Sequence, residues 1–173
     1  MIFSIRTTIR GLLAPKHRLS CSSKLWRDGL MELNLRGGGH RESGAFLFGK
    51  RYGDQRVIMD FAFYDDLDPH CLDTGIVVFD GTYYSRLWQL CRERRQEVVA
   101  DVHTHGGRAR QSPDDRANPM IAKPGHIALI VPGFAQHAVR ASELGIYQYK
   151  GGHCWHDYSG QAASAFFYIG LWG

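Results

Sequence analysis

VVADVHTHGGRARQSPDDRANP, residues 98–119, passes from an apolar run into two histidines, then two glycines, then a serine, a proline and two aspartates. Val98 to His103 has the length and the β-branched content of a strand. Residues two apart in a strand point to one side, so the imidazoles of His103 and His105 project together from its end. Ser112 as N-cap, Pro113 at N1 and Asp115 at N3 make a helix start close to a capping box. The stretch therefore reads as strand, loop and capped helix.

The chain on either side supplies partners for such a unit. Ser22 or Ser23 caps a helix to about Leu35, with Leu25, Trp26, Gly29, Leu30 and Leu33 on one face. Gly37 to Gly39 ends it as a turn, lacking the spacing and the following helix of a phosphate loop. Ala45 to Gly49 is a short apolar run, hence a buried strand. A turn at Gly53-Asp54 joins it to a second strand, Val57 to Tyr64, as a hairpin. Asp65 to Pro69 reads as a solvated acidic loop and Ile76 to Phe79 as a strand. Thr82 to Gln96 reads as a helix, because Tyr84, Leu87, Trp88 and Cys91 fall at i, i+3, i+4 and i+7. Its arginines read as a wetted surface. His126 to Val131, Leu144 to Tyr149 and Ala165 to Ile169 are further strands. Strands outnumber helices and are interrupted by them, which predicts one α/β or α+β domain over residues 1–173, a mixed sheet with helices packed on it.

Composition narrows the function classes. A chain of 173 residues with 44% hydrophobic residues fits one domain with a real core. The formal charge of +4 is mild, and the basic residues are interleaved with acids, so no nucleic-acid footprint is expected. No apolar run approaches the roughly 18 residues of a membrane span. The four cysteines, at 21, 71, 91 and 154, include no CxxC pair, a pattern of free thiols in a reducing compartment and hence of a cytoplasmic protein. Nothing acidic precedes Asp28, as in an organellar transit peptide, but Phe3, Ile5, Thr7 and Ile9 alternate with polar residues. Period two favours a strand there.

Two imidazoles at a strand end suit two ligands of one divalent ion, and would serve equally as hydrogen-bonded surface histidines. Asp115 on a capped helix could be a third, oxygen ligand, with Asp114 the alternative. Two histidines and a carboxylate leave a fourth zinc position open, the arrangement of a catalytic site in which bound water has a pKa of about 7. His153, Cys154 and His156 form another metal-like cluster. No partner pair with zinc-finger spacing exists, so a structural loop is expected there.

His103-Thr104-His105 and Ser112-x-x-Asp115, with Glu42-Ser43-Gly44-Ala45-Phe46-Leu47-Phe48-Gly49 upstream, together resemble the JAMM/MPN zinc metalloproteases. The resemblance covers roughly Leu25 to Val131. It implies a mixed, curved β-sheet flanked by helices. It also implies a zinc-dependent enzyme that cuts isopeptide or peptide bonds after the C-terminal tail of a ubiquitin-like protein or its conjugates, in some bacteria within conjugation-like defence operons. His103, His105 and Asp115 would hold zinc, Glu42 would take the proton of the zinc-bound water, and Ser112 would hydrogen-bond the oxyanion. The chain departs from the family where Gly106 replaces the usual proline and where the stretch from His105 to Ser112 is one residue short. Gly106-Gly107 is expected to absorb the deletion through unusual backbone angles. A non-catalytic MPN-like scaffold and a zinc amidase for small substrates are the alternatives.

Overall fold

A computed structural model describes residues 17–171 of the chain. Its strands are β1 (Leu19–Ser22), β2 (Gly44–Tyr52), β3 (Gln55–Phe63), β4 (Glu97–Thr104), β5 (Ile127–Val131), β6 (Gly145–Gly151), β7 (Cys154–Asp157) and β8 (Phe167–Gly170). Its α-helices are α1 (Ser23–Arg36), α2 (Tyr64–Leu67), α3 (Tyr84–Arg94), α4 (Pro113–Ala117) and α5 (Ala163–Phe166). The strands form one mixed sheet in the order β7-β6-β5-β4-β2-β3-β1-β8. β4 is central, antiparallel to β2 and parallel to β5. The fold is thus the mixed α+β domain that the strand and helix pattern predicts.

The apolar run of β2 explains the layering. Ala45 and Leu47 pack with Trp26, Leu30 and Leu33 of α1 on one face. Phe46 and Phe48 pack with Tyr64, Leu67 and Leu87 on the other. A strand covered on both faces needs no alternation of apolar and polar residues. The Ser22 hydroxyl accepts from Leu25 N at 3.2 Å and caps α1. At Gly29 the Phe61 ring lies where any side chain would stand, so the helix and sheet approach closely there.

Bulges near Phe48 and Gly49 shift the register of β2 against both neighbours, which bends the sheet. Val98 and Ala100 have partners across β2 and Val99 does not. The Val99 carbonyl instead accepts from the Arg56 guanidinium at 2.8 Å. The same guanidinium donates to the Gly125 carbonyl ahead of β5. Arg56 is buried. Burial, then the charges of Arg51 and Arg18, push its pKa down to about 10, which still leaves it cationic at neutral pH. One fork therefore ties β3, β4 and the entrance to β5 together.

Four expectations change. Ile76 to Phe79 is no strand and joins no sheet: Val77 N is spent on the Glu42 carboxylate and Val78 N on the Cys71 carbonyl. The acidic stretch 65–69 is not a solvated loop: it opens in α2, Asp65 and Asp66 pair with Arg36, and Asp68 is buried. Residues 154–157 form strand β7 and not a loop. β1 adds a parallel strand that the pattern does not announce. The expected strand over Phe3 to Arg10 lies outside the described residues. No helix among the described residues is long and apolar enough to cross a membrane.

Arg56→Leu strands the buried Val99 carbonyl, worth about 1–3 kcal/mol when unsatisfied, and takes one of two donors from the half-buried Gly125 carbonyl, which keeps Gln148 Nε2 at 3.4 Å. Urea unfolding should show a loss of about 1–3 kcal/mol, and Arg56→Lys should not restore it, since an ammonium cannot span the fork. A change under about 0.5 kcal/mol, the size of a surface substitution, would remove the staple from this account.

Candidate metal centre

The register of β2 on β4 sets Gly44 opposite His103. Ser43 N donates to Thr104 Oγ1 at 3.0 Å and Thr104 N to Ser43 O at 2.9 Å, while the Ser43 hydroxyl donates to Leu33 O at 2.7 Å. These bonds lock the residue after Glu42 to the residue between the two histidines. Glu42 is held further by Gly75 O, which accepts from its N–H at 3.0 Å. Its Oε1 lies 3.7 Å from His105 Nε2.

His103 and His105 point to one side, as the period of two requires, with Nε2 atoms 3.0 Å apart. Asp115 joins them, Oδ1 at 3.3 Å from His103 Nε2 and Oδ2 at 3.4 Å from His105 Nε2. One donor atom from each of the three lies within 4.8 Å of the others. The capping box is complete: Asp115 N donates to Ser112 Oγ at 3.1 Å and Ser112 N to Asp115 Oδ2 at 2.7 Å. Asp114 is exposed and outside the group. Ser112 reaches the centre only through Asp115, and its oxygen is used as an acceptor, which leaves its O–H free to donate.

Two imidazole nitrogens and a carboxylate oxygen form a donor set that suits zinc. Two Nε2 atoms facing each other at 3.0 Å cannot both be satisfied by neutral rings without a shared proton or cation. His103 Nδ1 is buried without a hydrogen-bond partner, so Nε2 is the nitrogen turned to the shared point. Burial opposes the charged forms of both His103 and Asp115, but their contact wins. The His103 imidazole is raised above its usual range, and Asp115, bonded to both rings, is held far below that of a carboxylate.

Behind the centre lies a second polar group that spacing alone does not disclose. Asp101 shares the strand face of His103, is 2% exposed and pairs with His126, itself 6% exposed. The Tyr64 hydroxyl approaches the other Asp101 oxygen at 3.4 Å. Burial and that carboxylate keep the Tyr64 phenol well above its ordinary pKa, hence a donor. The D-x-H-x-H alternation of residues 101–105 was the available signal for Asp101; His126, 25 positions later, had none. A narrow cleft of about 40 Å³ opens beside Glu42, His103 and Asp115, with Gln111, Met120 and Trp155 among its walls. Trp155 donates through Nε1 to Arg116 O at 3.2 Å and so joins β7 to α4. Among the described residues, His153, Cys154 and His156 assemble no metal group.

The expected glycine angles are absent: neither Gly106 nor Gly107 has a positive φ. The left-handed residues are across from them, at Gly133, Phe134 and Ala135. Gly106 is needed for space, because the Phe134 ring sits where a Cβ would be.

No family model matches the chain. A protein of Desulfitobacterium hafniense, known from a solution structure, is similar over 82% of this chain and 90% of its own, with a TM-score of 0.60 and 18% identity. A Salinibacter ruber protein is similar over 75% of this chain and 84% of its own, with a TM-score of 0.49 and 19% identity. The first likeness shows that the architecture recurs at low identity; it carries no chemistry across.

The raised His103 pKa fixes a sign. In excess chelator, its stabilising contribution is fully present below the unfolded value of about 6.5 and is lost as pH rises through the folded value. The Asp115 contribution is present above about 3.9 and is lost only as pH falls through a much lower folded value. Melting of the metal-free protein should therefore decline from pH 6 towards 8.5, with a smaller decline in His103→Gln. Equal slopes in the two proteins would refute the coupling.

Proposed function

We propose that the protein is a zinc-dependent peptidase of the JAMM type, cutting the peptide or isopeptide bond after the C-terminal tail of a ubiquitin-like protein. The observation that carries this reading is the arrival of Glu42 at the group formed by His103, His105 and Asp115. Three separate segments contribute to it, and Glu42 stands 3.7 Å from His105 Nε2. A stray pair of surface histidines has no need of a locked carboxylate beside it.

His103, His105 and Asp115 would hold the metal. Zinc supplies Lewis acidity, polarising a carbonyl and making water acidic near neutral pH. Glu42, fixed through Val77 N and Gly75 O, accepts the proton of the attacking water. As the carbon–nitrogen bond breaks, it passes that proton to the departing amine. The free O–H of Ser112 is available to the developing oxyanion. The narrow cleft favours a tail with glycine beside the cut, and an extended tail gains main-chain hydrogen bonds from a strand-like wall. The four cysteines are free, which supports a reducing, cytoplasmic setting. A role in a bacterial ubiquitin-like conjugation and defence system belongs to the same reading.

Purified protein should carry one zinc per chain by elemental analysis, and none after His103→Ala with His105→Ala. Glu42→Gln should keep zinc and fold and lose at least about 100-fold in turnover, because the amide cannot take the proton. Zinc retained in the double variant would move the centre elsewhere; full turnover in Glu42→Gln would move the base.

Ubiquitin-like fusions that differ only in the two residues before the cut give the substrate test. Cleavage should drop steeply when glycine there becomes leucine and stop with a chelator. Equal cleavage of both fusions, or cleavage that survives chelation, contradicts the mechanism. Failure to cut any fusion would return the scaffold and small-amide readings.

A further inference from the structure

β4 ends at Thr104, whose ladder partner Val131 is the last residue of β5. His105 therefore lies one residue beyond the sheet pairing that holds His103. What grips it is the turn that follows β5. His105 N donates to Val131 O at 2.9 Å, and His105 O accepts from Phe134 N at 2.9 Å. Gly133 N donates to Gly107 O at 3.2 Å.

That turn is strained. Gly133, Phe134 and Ala135 have φ of 59°, 51° and 55°, three left-handed residues in succession of which two carry side chains. Such angles are disfavoured for L-residues and persist only where the surroundings over-determine them. Here they do. Asn34 Nδ2 of α1 donates to Phe134 O at 2.8 Å, and Gln136 Nε2 donates to Gly39 O at 2.7 Å. The conformation drives the Phe134 ring onto Gly106, into the space of the missing Cβ. The same turn thus touches the chain on both sides of the centre, the exit of β4 and the end of α1 that leads to Glu42.

We propose that Phe134 is a positioning residue for the metal centre: its ring on Gly106 and its N–H on the His105 carbonyl aim the His105 imidazole at the point shared with His103 and Asp115. The inference rests on the reading of those three residues as a zinc centre. Gly106 and Phe134 then act as one unit, a residue without a side chain facing a ring that fills its place.

The test measures zinc affinity by competition with a chromophoric chelator, alongside melting of the zinc-free protein. Phe134→Ala should weaken zinc binding about 10–100-fold, the usual effect of losing a group that orients a ligand, in protein that remains folded. Phe134→Tyr should restore it. Gly106→Ala should weaken zinc comparably by pushing the ring aside, and in the Phe134→Ala background the same substitution should cost little more, because the collision is gone. A merely structural role would lower the melting midpoint and leave the affinity of the folded protein unchanged. Wild-type affinity in both single variants overturns the proposal and leaves the zinc centre standing. Wild-type protein that binds no zinc overturns both. If Phe134→Ala does not fold, Gly106→Ala reads the same contact from the other side.

Discussion

The antiparallel register that sets Gly44 opposite His103 is the constraint on which the centre depends. A slip of one residue would turn both histidines to the other face of the sheet and draw Glu42 away from them. The Ser43–Thr104 exchange prevents the slip at the end where it matters, and it is buried, where backbone bonds are costly to break. The bulges near Phe48 and Gly49 absorb the misfit at the far end. Arg56 satisfies the carbonyl that they leave over.

With the strand fixed, electrostatics assemble the rest. Glu42 and Asp115 come from loops and a short helix that would repel each other if nothing cationic lay between them. The His103 imidazole, whose pKa its contact with Asp115 raises, favours a proton there, and a divalent ion would supply more positive charge at the same place. A zinc ion held there would compete with protons, and its affinity should follow pH in the direction opposite to the stability of the metal-free protein. The Asp101–His126 pair lies on the same face, so the polar stripe continues into the core.

The residues of the candidate centre were legible because local rules govern them. Period two aligned His103 with His105, and the Ser-Pro-Asp-Asp start placed Asp115 at N3, where the complete capping box now holds it. The double-faced run of β2 was legible for a similar reason. Ile76 to Phe79 misled because a short apolar stretch can satisfy its N–H groups off the sheet, here partly on Glu42. β7 was missed because its exposed edge shows no apolar alternation. Phe134 carries no local signal at all, since left-handed backbone is not expected of phenylalanine, and Gly106 looked like a conformational glycine when it is a spatial one. Arg56 resembled any surface arginine until the bulge gave its fork two carbonyls to bind.

X-ray absorption at the zinc edge of the metal-loaded protein reads the ligands of the centre without depending on a substrate. Zinc on His103, His105 and Asp115 should show two imidazole nitrogens at about 2.0–2.1 Å, with oxygen donors at about 2.0–2.2 Å completing the shell, and the loss of one imidazole in His105→Ala. A sulfur at about 2.3 Å, which would put the metal on a cysteine such as Cys154, or a shell of oxygen alone, would contradict it.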